Sequence, residues 1–165
     1  MQVRMPKVVL ALLAGFVAIA VGSGVKAQAP KGLEGTWTLN IAKSKFNPGP
    51  PPKSMKVVYA PSGESIKITV DVSWGAGESQ RWEMAGKYDG KDYPVTGNPA
   101  ADTASFKRVD DQTGESTFKK DGKVVATNTR VLSKDGKTLT ITSKGTTADG
   151  KPRHDVQVFE KSSQT

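Results

Sequence analysis

A repeated Asp-Gly-Lys triplet constrains this sequence more than any other feature. It stands at 121–123, 135–137 and 149–151, at a spacing of about 14 residues, and an earlier copy stands at 89–91. Asp-Gly between alternating segments is a strong hairpin signal, because a type I′ turn requires positive φ at both central residues. The segments between the triplets are rich in β-branched residues, such as Thr138-Leu139-Thr140-Ile141-Thr142. The pattern predicts antiparallel strands joined by tight hairpins.

The first 27 residues are predicted to be a leader. Arg4 and Lys7 precede an apolar run at 8–21, and Val25-Lys26-Ala27 fits the small-x-Ala rule for a signal-peptidase site. The alternative is an uncleaved anchor, because the apolar stretch is nearly long enough to cross a bilayer. We expect cleavage after Ala27 and an exported protein, periplasmic or secreted, with no membrane span.

The remaining chain has the length of one domain, with about 138 residues. We divide it into a lead-in at 28–34, a β-barrel domain at 35–161 and a tail at 162–165. The absence of Cys excludes thiolate zinc sites and Cys nucleophiles. No Gly-rich loop precedes a predicted helix, and no carboxylate cluster has calcium-loop spacing, so we predict no cofactor and no metal.

The charge of the chain is positive but scattered. The sequence has 24 basic and 16 acidic residues, and three of the basic residues belong to the leader. Many lysines stand at predicted turns, and no block of like charges occurs, which is typical of solubility and of strand-edge protection. The alternative is a basic surface that binds an anionic polymer of the cell envelope. Nucleic acid is not expected as a partner.

Alternating apolar and polar residues predict nine or ten short strands and no helix after the leader. In the first strand, 35–41, we expect Trp37, Leu39 and Ile41 to face inward. Tight hairpins favour one antiparallel up-and-down barrel of eight to ten strands over a sandwich, because only 42–53 and 94–101 are long enough for crossovers. The fold class predicted is therefore all-β.

The first and last strands carry the residues that suggest a family. Gly35-Thr36-Trp37 and Val158-Phe159-Glu160-Lys161, with the meander between them, resemble the calycin barrels, that is the lipocalins and the fatty-acid-binding proteins. The chain also resembles small exported bacterial proteins described as lipocalin-like. The resemblance implies that Trp37 plugs the base of a lipocalin-like barrel.

The resemblance also implies a ligand site that this sequence only partly matches. Fatty-acid-binding proteins hold the ligand carboxylate with an Arg-x-Tyr pair on the last strand, and the matching positions here are Gln157 and Phe159. Lipocalins place a basic residue near the plugging Trp, a role open to either Arg153 or Lys161.

Arg130 and Asn128 are the leading candidates for contacting a ligand. They share a strand face with Val124, Ala126 and Leu132, and inside a barrel they could orient a polar or anionic head group. The opposite face, which begins at Val125, can equally be the interior, and we favour that face, with Arg130 outside. The further candidates for ligand contact are Arg108, Tyr59, Trp82 and Tyr88.

Catalysis is not expected. His154 is the only histidine, and its neighbour Asp155 would point to the other face of a strand, so the two cannot form a base and its orienting acid. A hydrolase built on paired carboxylates is kept as a low-ranking possibility, because their separation depends on the fold. The strand carboxylates in question are Asp71, Glu83, Asp102 and Glu115.

Two functions follow from these observations. The first is an exported, non-enzymatic protein that binds a small amphipathic or apolar ligand inside the barrel. The second is a structural or interaction protein of the envelope that uses its basic surface and has a solidly packed interior. A cavity larger than about 300 Å³ would favour the first function.

Overall fold

The computed structural model describes residues 29–75, 77–147 and 149–163. Ten antiparallel strands form one closed barrel, in which each strand pairs with its sequence neighbours and the first pairs with the last. The strands are β1 (Gly35–Leu39), β2 (Ser54–Ser62), β3 (Ser65–Gly75), β4 (Glu78–Gly86), β5 (Asp89–Thr96), β6 (Thr103–Arg108), β7 (Thr113–Lys120), β8 (Lys123–Leu132), β9 (Thr138–Thr146) and β10 (Pro152–Lys161).

The predicted fold class is confirmed, since the structure is an all-β, antiparallel up-and-down barrel with ten strands. Closure places Leu39 opposite Phe159 and Trp37 opposite Lys161. Within the described ranges, no helix is long and apolar enough to cross a membrane. The predicted leader and its cleavage site lie outside the described residues, as do the last two residues of the tail.

The Asp-Gly turns are less uniform than the sequence predicts. Only the β7–β8 hairpin has two positive φ angles, 49° at Asp121 and 74° at Gly122, as a type I′ turn requires. At 135–136 and 149–150 only the glycine is left-handed, and longer loops join the strands. The fourth copy is not a turn, because Asp89 and Gly90 lie in β5 beside a register shift.

The structure shows a strand, β5, in the middle of the chain, where the sequence predicted a turn at 89–91 and a longer connection from 94. β5 pairs with β6 over most of its length but with β4 at only two positions, Glu83↔Thr96 and Met84↔Val95. Pro94 has no amide hydrogen to contribute to a ladder. Among the described strand pairs of the barrel, β4 and β5 thus have the fewest paired positions.

The first strand is shorter than predicted. β1 ends at Leu39, and Ile41 begins a single 3-10 turn, where its side chain is exposed instead of buried. The side chain of Asn40 begins this turn by accepting a hydrogen bond from the Lys43 amide at 3.1 Å. Beyond the turn, Lys45 pairs with Val156, so the chain continues along the edge of β10.

The floor of the barrel is built around Trp37. This ring is fully buried, and its Nε1 donates a hydrogen bond to the carbonyl of Leu33 at 2.8 Å. The Lys161 Nζ lies 5.2 Å from the centre of the ring and donates to the Gly32 carbonyl at 2.8 Å. The basic residue near Trp37 is therefore Lys161 and not Arg153, and the lead-in forms part of the floor.

We predict that Trp37→Ala lowers the free energy of unfolding by about 3–5 kcal/mol, because a large ring and its hydrogen bond are lost from a closed site. The matched control is Trp74→Ala, which should cost less than about 1 kcal/mol because that ring is 43% exposed. Urea unfolding of both variants checks this, and equal losses would contradict the assigned floor.

Candidate functional site

A cavity of about 590 Å³ lies inside the barrel above this floor. Its mouth lies between Trp74, Phe46, Arg153 and the β5–β6 connection at Pro99. The volume exceeds the roughly 300 Å³ at which small-molecule sites begin. The interior is therefore not packed solid, as the interaction function required.

Arg130 points into this cavity, so the favoured prediction that it lies outside is wrong. Its side chain lines the cavity and is only 4% exposed. The register between β7 and β8 shifts after Phe118, so that Val124 turns to solvent while Val125 joins Ala126 at the cavity. From Ala126 to Leu132 the strand alternates regularly, but both of its faces mix polar and apolar residues, so alternation alone could not show which face turns inward.

Aromatic rings surround the Arg130 guanidinium. Its Nη2 donates a hydrogen bond to the Tyr88 hydroxyl at 2.6 Å, and its Cζ lies 5.5 Å from the Tyr59 ring centre and 5.6 Å from that of Tyr88. Throughout the described part of the chain, no carboxylate forms an ion pair with Arg130. The cation thus lies beside the rings of Tyr59 and Tyr88 and bonds the Tyr88 hydroxyl, without a protein counter-ion among the described residues.

Gly114 makes room for this guanidinium, and it was not among the residues that the sequence predicted for the site. It lies in β7 directly opposite Arg130, and a Cβ at this position would come within 2.4 Å of the Arg130 Nη2. A glycine inside a strand often marks the close approach of another group. That signal can be found in the sequence only once Gly114 is assigned to a strand.

Burial raises the pKa of Tyr88 above its ordinary value, and the charge of Arg130 only partly offsets this effect. The phenol therefore stays neutral at physiological pH, and it cannot neutralise the guanidinium. Arg130 keeps a full positive charge although its side chain is almost fully buried. Such a site favours an anion that enters from the cavity.

Most of the other predicted ligand contacts also reach the cavity. Tyr59, Trp82 and Asn128 line it, and the buried Asn128 Oδ1 has no hydrogen-bond partner among the described residues. Tyr88 contacts Arg130 but is not itself part of the cavity lining. Arg108 does not reach the cavity. Its Nε donates to the Asp110 carbonyl at 3.1 Å and it pairs with Asp111, so it holds the β6–β7 turn.

Gln157 and Phe159 face inward on β10, at the positions where the fatty-acid-binding proteins carry Arg and Tyr. The last strand thus offers an amide and an apolar ring. In this barrel the interior cation comes from β8, two strands away from Gln157.

The carboxylates considered for hydrolysis do not converge in the cavity. Asp71 and Glu83 lie on the outer face, where Arg81 bonds them at 3.2 and 3.4 Å. Asp102 accepts a hydrogen bond from the Asp121 amide, and both Glu115 and His154 are exposed. Within residues 29–75, 77–147 and 149–163, no group of three His, Cys, Asp or Glu side chains is placed to hold a metal ion.

Comparisons with known proteins add little to this geometry. No family model matches the chain, and no curated protein sequence matches it. Among solved structures, the chain is similar to the siderocalin Ex-FABP, which is described as functioning through dual ligand specificities. The two share 12% sequence identity with a TM-score of 0.38, over 81% of this chain and 76% of that one. The likeness is too distant to support an argument about the ligand.

The raised pKa of Tyr88 predicts a loss of stability at high pH. The unfolded phenol ionises near its ordinary value of 10.0, whereas the folded phenol still holds its proton. The free energy of unfolding should therefore fall from about pH 10 upward until the folded pKa is passed. Denaturant unfolding between about pH 9 and pH 11 should show that the free energy of unfolding falls more steeply with pH in the native protein than in Tyr88→Phe. Parallel curves would contradict a buried phenol.

Proposed function

We propose that this protein is an exported, non-enzymatic binding protein that holds a small amphipathic molecule with an anionic group inside its barrel. The observation that carries the proposal is Arg130, a buried cation that faces a cavity and has no carboxylate partner in the described chain. Export rests on the leader-like segment that ends at Ala27. N-terminal sequencing of protein from cell fractions tests export, and an intact Met1 start would contradict it.

Burying Arg130 without a carboxylate partner in the described chain lowers the stability of the free protein, and a bound anion would offset that loss. A guanidinium taken out of water loses hydration that only good partners replace. Tyr88 accepts one of its five N–H groups at 2.6 Å, and the two rings supply a weaker attraction. A carboxylate or a similar anion fits the planar fork of donors and would replace the lost hydration.

The rest of the cavity suits an apolar body. Much of its wall consists of aliphatic side chains, among them Val57, Ile68, Val70 and Met84, all nearly fully buried. The anionic end of a ligand would meet Arg130 and Tyr59, which both line the cavity, while the Tyr88 hydroxyl holds the guanidinium in place. The apolar part of the ligand would point to the mouth. A site with an apolar wall and a few convergent polar groups is the usual form of a small-molecule pocket.

We predict that Arg130→Met removes the preference of the cavity for an acid over its ester. The probe is the fluorescent 11-(dansylamino)undecanoic acid, compared with its methyl ester. The native protein should bind the acid about 10- to 100-fold more tightly, because hydrogen bonds to a charged group are worth about 1.5–3 kcal/mol. Fluorescence titration of both probes measures the ratio.

The matched control is Lys107→Met, which removes one positive charge from an exposed position on β6. It should leave the ratio unchanged. The free energy of unfolding separates a ligand-binding role from a structural one, since Arg130→Met should leave it equal or raise it. Equal binding of acid and ester by the native protein, or a ratio unaffected by Arg130→Met, would refute the proposal.

A further inference from the structure

The inward residues of the barrel are divided by chemistry between two opposite walls. In the closed order of strands, β8 lies across the barrel from β3, and β9 lies across from β4. The cavity side chains of β2, β3 and β4 are mostly apolar: aliphatic at Val57, Ile68, Val70 and Met84, aromatic at Tyr59 and Trp82, with an amide at Gln80. The facing wall, formed by β7 to β10, also has apolar residues such as Phe118 and Ile141, but it adds a set of polar ones: Ser116, Asn128, Ser143 and Gln157.

Strand register arranges the polar side chains of this second wall in a transverse row. Ser116 on β7 is directly opposite Asn128 on β8, Asn128 is opposite Ser143 on β9, and Ser143 is opposite Asp155 on β10. Neighbouring strands lie about 4.8 Å apart, so the row crosses about 14 Å of wall with polar groups at regular intervals. One step deeper lies a second row, which contains Gly114, Arg130, Ile141 and Gln157.

Only one end of the row is satisfied by the protein. The carboxylate of Asp155 accepts hydrogen bonds from the Asn47 amide at 3.0 Å and from the Arg153 Nε at 2.6 Å. In the middle of the row, the Asn128 Oδ1 is buried and has no hydrogen-bond partner among the described residues. Ser116 and Ser143 flank it, and both are only 8% exposed while lining the cavity. Buried polar groups are normally hydrogen-bonded to protein or to water, so a molecule in the cavity, whether water or ligand, would supply the missing partner.

A linear alkyl acid does not provide that partner. Its carboxylate would satisfy Arg130, but its methylene chain would then lie against Asn128 and the two serines, which would stay unpaired. A molecule with hydroxyl or amide groups along one edge would pair with the row, and its opposite, apolar edge would pack on β2 to β4. A ligand that leaves the polar groups of a site unpaired loses more affinity than a ligand that lacks one methylene group.

We infer that the ligand is a facially amphipathic anion, with polar groups along one edge, an apolar opposite edge and an acid group at the end that meets Arg130. A hydroxylated fused-ring acid has this chemistry. The inference rests on the function proposed above, because it specifies the molecule that the same cavity would hold.

Cholate and lithocholate provide a matched pair of probes, since they share one ring skeleton and one acid group. Cholate carries two additional hydroxyls on the same face of the rings. Displacement of the dansyl acid from the native protein should show cholate binding at least about 10-fold more tightly, although lithocholate is the more apolar molecule. An apolar cavity without the row would give the opposite order.

The variant that tests the row is Asn128→Leu combined with Ser143→Ala. This variant should bind cholate about 10-fold more weakly, and it should bind lithocholate as tightly as the native protein or more tightly. The preference between the two acids would then be reversed. Thr127→Val is the control, because it removes a hydroxyl from the exposed face of the same strand. Circular dichroism and urea unfolding check that each variant is folded, and Asn128→Leu alone replaces the pair if the double variant is not.

The outcomes separate this inference from the proposed function. Binding of the dansyl acid through Arg130, with lithocholate equal to or tighter than cholate, overturns the inference and leaves the proposed function standing. The same holds if the dansyl acid binds and neither sterol acid displaces it. Failure of the dansyl acid and of both sterol acids to bind overturns the inference and the proposed function together.

Discussion

The pairing of β1 with β10 is the contact on which the rest of this structure depends. The nine pairings between strands that are neighbours in sequence would, without this tenth pairing, leave a sheet with two open edges. An open edge presents unpaired amides and carbonyls to other chains. Closure places Trp37 beside Lys161 at the base and sets its hydrogen bond to Leu33. Because the floor is filled and the barrel has ten strands, the space above the floor remains open as a cavity.

Within that cavity, the free protein tolerates groups that a packed core would exclude. Arg130 keeps its charge with only the Tyr59 ring and the neutral Tyr88 phenol beside it, and among the described residues Asn128 has a buried acceptor without a partner. Both features reduce stability in the absence of a ligand. Local conflicts of this kind are expected at functional sites, where a bound molecule provides the missing interactions.

Much of the barrel was predictable from local pattern. Strict alternation at Ile66, Ile68, Val70 and Val72 is the pattern of a strand with one buried face, and all four are buried. The segment around Asp89 was missed, because Asp-Gly has the same local signal in a turn and in a bulge. The face of Arg130 was wrong for a different reason: the strand from Ala126 to Leu132 alternates regularly, but both of its faces mix polar and apolar residues.

The sequence by itself determined the class of fold, the meander and the inward face of Trp37, because these depend on short-range alternation and turn chemistry. It also supplied several residues of the candidate site, among them Arg130, Asn128 and Tyr59. Only the tertiary structure decided which of them meet. Arg130, Tyr88 and Gly114 come together through strand register, and the polar row faces a mostly apolar wall only because the barrel closes. Contacts between distant strands depend on register and closure, and neither is encoded in any single segment.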